Sequence, residues 1–74
     1  MSVPIPHTAQ QIEADLVRRI AAGEFPRGSR LPTYDALAEE YGSARRTVGR
    51  AVEALKARGI VVGVPGSGVY VAES

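Results

Sequence analysis

The sequence predicts a mainly α domain, three helices followed by a small two-stranded β-hairpin. Three observations predict it. Apolar residues recur at helical spacing in three separate stretches before Gly59. Each stretch has a hydroxyl residue in front and a glycine behind, the residue types that cap helix ends. Beyond Gly59 the pattern changes to β-branched runs, "IVVGV" and "VYVA", on either side of "PGSG".

Residues 1–7, "MSVPIPH", carry two prolines and no periodicity, and are expected to form a flexible N-terminal arm. The domain is expected over 8–74. Thr8 is the cap of the first helix, and Gln11 three residues on completes a capping box. Ala9, Ile12, Leu16 and Ile20 then share one side, Asp15 and Arg19 are expected to pair on the solvent side, and Gly23 ends the helix. "GEFPRGSRLP" reads as a turn that tucks Phe25 back into the core. Thr33 caps a short second helix running through Leu37, Ala38 and Tyr41 to Gly42. At about two turns it must be held by packing rather than propensity. Ser43 is read as the next cap, with helix three over 44–58. Ala44, Val48, Ala51, Val52 and Leu55 cluster on one face of it, Arg46, Gly49, Arg50 and Glu53 lie opposite, and Arg45 sits on the flank. The hairpin is expected over 60–72, turning at Pro65 to Gly68.

At 74 residues the chain makes one small domain, which buries only about 60% of its unfolded surface. It has no cysteine, so neither a disulfide nor a thiolate metal site is available, which fits a reducing cytosol. No apolar run approaches the ~20 residues of a membrane span, and the N-terminus has no signal pattern. A cytoplasmic location, away from any membrane, is therefore expected. The net charge is only +1, but its distribution is uneven. Between Gly42 and Arg58 stand Arg45, Arg46, Arg50, Lys56 and Arg58 against the single Glu53, whereas the helix before carries Asp35, Glu39 and Glu40.

Arg45 and Arg46 occupy the first turn of helix three, where the helix dipole makes each cation unfavourable by about 0.3–1 kcal/mol. Arg46 and Arg50 add a like-charge pair four residues apart. A contact surface for a polyanion explains that arrangement. Two helices joined by the tight "YGS" connection form a helix-turn-helix, in which the second helix enters the major groove of duplex DNA. Its leading residues here are Ala44, Arg45, Arg46 and Thr47, with Gly49 and Arg50 one turn on. Arginine pairs bidentately with guanine and also binds phosphate. The hairpin behind makes a wing, whose Gly66, Ser67 and Gly68 allow close approach to a sugar-phosphate backbone. "GSG" is followed by a strand rather than a helix, which argues against a nucleotide site. His7 has no second histidine for a metal, and Asp35, Glu39 and Glu40 read as a solvated face. With no catalytic constellation, the chain is read as a non-enzyme without cofactor or metal.

Together these residues resemble a known family. "GSRLPTYDALAEEYGSARRTVGRAVEALKARGIVVGVPGSGVYV", with "QQIEADLVRRIAAGEFPRG" before it, is similar to the N-terminal winged helix-turn-helix domain of GntR-type bacterial transcriptional regulators. The resemblance covers Gln10 to about Ala72. It implies a sequence-specific double-stranded DNA-binding domain of a transcription regulator, most often a repressor, acting on two-fold symmetric operators as a homodimer. It further implies contacts from Thr33 at the start of helix two, from Arg45 and Thr47 in helix three, and from Gly66 and Gly68 in the wing. Ser43, Arg46, Gly49, Arg50 and Ser67 complete the expected DNA-binding set. The sequence departs from the family pattern at Ala9, at Asp35 and Gly49, where arginines are common, and at Arg46, where a small polar residue is usual. Those departures imply an operator of its own, with Arg46 and Arg50 replacing missing basic contacts. A small-molecule effector is expected only where a C-terminal domain exists outside this chain. The alternative reading is a winged-helix protein-interaction module that does not bind DNA.

Overall fold

The computed structural model describes residues 7–73; of the arm expected over 1–7, residues 1–6 lie outside them. Three helices, α1 (Ala9–Ala21), α2 (Tyr34–Tyr41) and α3 (Arg45–Ala57), precede two strands, β1 (Val61–Val64) and β2 (Gly68–Val71). The predicted order of elements is the order found. Thr8 caps α1 through the expected box: its Oγ1 accepts from the Gln11 N–H at 3.1 Å, and its own N–H donates to Gln11 Oε1 at 2.9 Å. Thr33 caps α2 in the same way, accepting from the Ala36 N–H at 3.1 Å. Gly42 ends α2 in the left-handed region at φ 63°, and the Ser43 N–H then closes onto the Ala38 carbonyl at 3.0 Å.

The start of α3 differs from expectation. The capping position falls on Ala44, which supplies no side-chain bond, and Ser43 stands one residue too early to serve. The Ser43 hydroxyl instead donates to the His7 carbonyl at 2.6 Å. His7 is itself held, its Nδ1 lying 3.1 Å from the Tyr41 carbonyl and its ring edge-on to the Tyr41 ring at 5.2 Å. At the other end Arg58, expected inside the helix, is the cap of α3, whose last residue is Ala57.

One apolar core joins the elements. Ile12 and Leu16 of α1, Leu37 of α2, and Val48, Val52 and Leu55 of α3 are fully buried, with Leu31, Val61 and Val71 closing the wing side. α3 packs on α1, α2 and β1, so it is the centre of the molecule. β1 and β2 pair antiparallel, with Val61 opposite Val71 and Val64 opposite Gly68. The sheet has a further member that the sequence did not announce. Arg30 bridges to Tyr70, the Leu31 N–H donates to the Val69 carbonyl at 2.8 Å, and the Val71 N–H donates to the Ser29 carbonyl at 2.8 Å. The segment leading into α2 is therefore laid along the outer edge of β2.

Arg19 corrects the expected Asp15–Arg19 surface pair. Asp15 pairs with Arg18 at 2.7 Å, one residue nearer, while Arg19 turns inward and is only 8% exposed. There it donates from Nε to Glu24 at 2.9 Å and from Nη1 to the Tyr41 hydroxyl at 2.9 Å, and it pairs with Glu40 at 2.7 Å. Its guanidinium carbon lies 4.6 Å from the Phe25 ring centre, so Phe25 does fold back as predicted, under a cation. The Tyr41 hydroxyl donates in turn to Asp15 Oδ2 at 2.7 Å. No buried polar side-chain atom among the described residues is left without a partner. Burial first, and the bond to Asp15 second, push the Tyr41 hydroxyl up to about 12. The bond from Tyr41, with help from Arg18, holds the Asp15 carboxyl below its ordinary value.

Two outcomes follow from this architecture. Ala44→Ser supplies the missing cap and should stabilise the fold by about 1 kcal/mol, read as a Tm about 4–8 °C higher. Asp15, whose pKa is lowered by folding, contributes stability that is complete above its unfolded value of 3.8 and is lost as the pH falls below it. The acid limb of Tm against pH should accordingly be shallower in Asp15→Asn than in the parent chain.

Candidate nucleic-acid interface

The core face of α3 decides what its other face presents. With Val48, Ala51, Val52 and Leu55 directed inward, the helical period leaves Arg45, Arg46, Arg50 and Glu53 exposed on the outside. Arg46 and Arg50 take part in no ion pair among the described residues. Arg45 meets Asp35 of α2, Nε to Oδ1 at 3.4 Å, with both side chains more than two-thirds exposed. Such a contact is worth less than about 1 kcal/mol and exchanges readily for another anion. It also explains the acid that stands early in α2. Asp35 is favourable in the first turn of its own helix and offsets Arg45 in the first turn of the next.

A cleft of ≈ 590 Å³ separates this face from the wing. Thr33 and Arg45 line one wall, Gly66 and Ser67 the other, and Arg30 and Lys56 complete it. Three cations thus border one opening. The exposed Thr33 uses its hydroxyl oxygen as the α2 cap, so its hydroxyl hydrogen remains available to an acceptor outside. Thr47 is half-buried, one turn along α3. Gly66 adopts φ 77° at the wing tip, with nothing within 4 Å of the position a Cβ would take. Ser67 shares a 2.5 Å hydrogen bond with the Tyr70 hydroxyl, which fastens the turn to β2. Gly68 is required twice: its φ is 139°, and a Cβ there would lie 2.8 Å from Arg30 Nε.

Most of the predicted residues are therefore brought together. Arg45, Arg46, Gly49 and Arg50 share the outer face of α3, and Thr33, Gly66, Ser67 and Gly68 border the adjoining cleft. Ser43 stands apart from them, its hydroxyl committed to His7. Arg30, Tyr34 and Lys56 enter the site without having been singled out. Arg30 alternates with the buried Leu31, a strand signal too short to recognise between Gly28 and Pro32. Lys56 lies against the wing beside Gly63 of β1, where a Cβ would stand 3.1 Å from its Nζ. Its bond to Glu53, 2.9 Å, keeps its pKa above the ordinary lysine value. Among the described residues no group of histidines and carboxylates is arranged to hold a metal, and no helix is long and apolar enough to cross a membrane.

The model of the bacterial regulatory proteins of the gntR family matches residues 8–71. Among curated relatives, the chain is 44% identical over 61 residues to the mannosyl-D-glycerate transport/metabolism system repressor MngR of Escherichia coli, covering 81% of this chain and 25% of that protein. It is 34% identical over 63 residues to the histidine utilization repressor of Pseudomonas putida, covering 85% of this chain and 25% of the relative. The chain thus spans about a quarter of the length of these relatives. Among solved structures, a GntR family transcriptional regulator from Listeria monocytogenes superposes with a TM-score of 0.86 at 27% identity, over 89% of this chain and 58% of that one. AraR(DBD) in complex with the operator ORE1 superposes with a TM-score of 0.85 at 25% identity, over 92% of this chain and 83% of that one.

Replacing Gly68 tests how the wing is joined to the rest. Gly68→Ala must strain the backbone and displace Arg30, and should cost about 1–2 kcal/mol in a denaturant unfolding curve.

Proposed function

Because the chain belongs to the gntR family of bacterial regulatory proteins, we propose that it is the operator-reading domain of a transcriptional repressor. The family is one of regulators rather than enzymes. In this reading α3 enters the major groove of duplex DNA and the wing lies along the neighbouring backbone. The observation that carries it is the pair Arg46 and Arg50: exposed, without an ion-pair partner among the described residues, and backed by the buried face of the same helix. Two cations four residues apart repel one another until an anion arrives. Duplex DNA supplies one negative charge per ~1.7 Å of axis, and a helix of this width fits its major groove.

Arg45, Arg46 and Thr47 are assigned to base edges. Thr33, Arg50, Gly66, Ser67 and Gly68 are assigned to the sugar-phosphate backbone, and Arg30 and Lys56 join that second set. The operator is read as two-fold symmetric, with two copies of the domain on it, since the half-sites of a helix-turn-helix dimer follow protein symmetry. Operator binding by AraR(DBD), a structural neighbour, and the repressor names of the curated relatives support this assignment. A cytoplasmic location goes with that role.

Selection of bound sequences from a random duplex pool, followed by titration at several salt concentrations, tests the proposal. One sequence class should be enriched, with log K falling against log salt by about 0.9 per phosphate neutralised. Arg45→Ala should lose about 1–3 kcal/mol on the selected duplex and relax preference at a single base pair. Arg50→Ala should weaken all duplexes alike and reduce the salt slope by about 1. Absence of binding to any duplex at low salt would instead point to a protein-interaction module.

A further inference from the structure

Gly49 is a residue that the fold does not need. It lies in the middle of α3, where glycine is the least favourable residue after proline. Its φ is not positive, so no turn or left-handed conformation calls for it. A Cβ at this position would meet only the Tyr34 ring, Cε2 at 3.8 Å, an ordinary van der Waals contact. Alanine would fit and would favour the helix. What the glycine leaves is space on the outside. A shallow depression of ≈ 690 Å³ opens there, with Gly49 and the Tyr34 ring as its floor and Arg45, Arg46, Arg50 and Glu53 as its rim. Glu53, the carboxylate on that rim, is engaged by Lys56 at 2.9 Å, which leaves the arginines to set the charge.

We propose that Gly49 and Tyr34 form a subsite for the C5-methyl group of a thymine, and so determine part of the sequence specificity. The inference rests on the reading of α3 as the groove-entering helix. With no side chain at position 49, a base edge can come against the helix backbone and the Tyr34 ring, while the arginines hold adjoining phosphates or bases. The Gly49 Cα and the face of the Tyr34 ring offer neither a donor nor an acceptor, while the Tyr34 hydroxyl lies toward Lys56. Thymine is the base that presents a methyl group in the major groove, whereas the exposed edges of guanine, adenine and cytosine are polar there. An unmatched polar edge on an apolar floor would lose its hydrogen bonds to water without replacement.

The test uses Gly49→Ala, the duplex selected by the parent chain, and copies of that duplex with each thymine changed in turn to deoxyuridine, which lacks the methyl group. The variant should melt about 4–8 °C higher than the parent, because the helix gains and nothing inside is displaced. It should nevertheless bind the selected duplex about tenfold more weakly, the loss typical of one mismatched base pair. At one position per half-site, deoxyuridine should weaken parent binding about fourfold, the worth of one buried methyl group, and should cost the variant nothing. Equal binding of the thymine and deoxyuridine duplexes by the parent at every position would overturn the subsite, as would undiminished affinity of Gly49→Ala. Failure to enrich any duplex would overturn the DNA-reading assignment itself, and the subsite with it.

Discussion

The burial of one face of α3 is the constraint on which the rest of the structure depends. Val48, Val52 and Leu55 are wholly removed from water, and each is worth about 1.5–3 kcal/mol of apolar burial. Among the described residues one apolar cluster forms the core, so in so small a domain little can compensate for their loss. The same helix carries the outward arginines, so the rotation of α3 about its axis is fixed by its apolar side and cannot drift to suit a ligand. The orientation of that outer surface is thus a by-product of packing. The uncapped first turn, Arg45 and Arg46 included, is the part of the helix least supported from within.

A second tier of interactions joins the helices where apolar surface runs short. Arg19 gathers Glu24, Glu40, Tyr41 and Phe25 around one buried guanidinium, tying the end of α1 to α2 and to the turn between them. Buried arginine is tolerable because its donors are met by carboxylates and a hydroxyl rather than left bare. Of the three acids of α2, Glu40 pairs with the buried Arg19 and Asp35 meets Arg45 weakly at the surface, both arginines belonging to neighbouring helices.

Helix existence, the caps of α1 and α2, and the hairpin were legible because each was encoded locally. Thr8 with Gln11, Thr33 with Gly42, and "PGSG" between β-branched runs act within a few residues of themselves. What was not legible depended on partners distant in sequence. Arg19 looked like a solvent residue because helical spacing placed Asp15 within reach, while Tyr41 and Glu24, which claim it, are brought near only by folding. Ser43 had the chemistry of a cap but not the register, since the left-handed Gly42 shifts the helix start by one residue. Within the site, Arg45, Arg46 and Arg50 could be read from charge and periodicity alone. Arg30, Tyr34 and Lys56 could not, because their role comes from the wing and α2 being folded against them.

The seam between the wing and the segment before α2 has a consequence of another kind. A free two-stranded hairpin is marginal in water, but here Ser29 and Leu31 are bonded to β2 on the edge away from β1, and the Tyr70–Ser67 bond closes the tip. The wing and the segment leading into α2 are therefore tied together by backbone hydrogen bonds, so the opening between the wing and α3 is bounded by a shared sheet. A reader built this way behaves as a gauge of fixed opening. On the proposed reading, a duplex must offer the right groove width and curvature as well as the right bases, or be deformed at its own expense until it does.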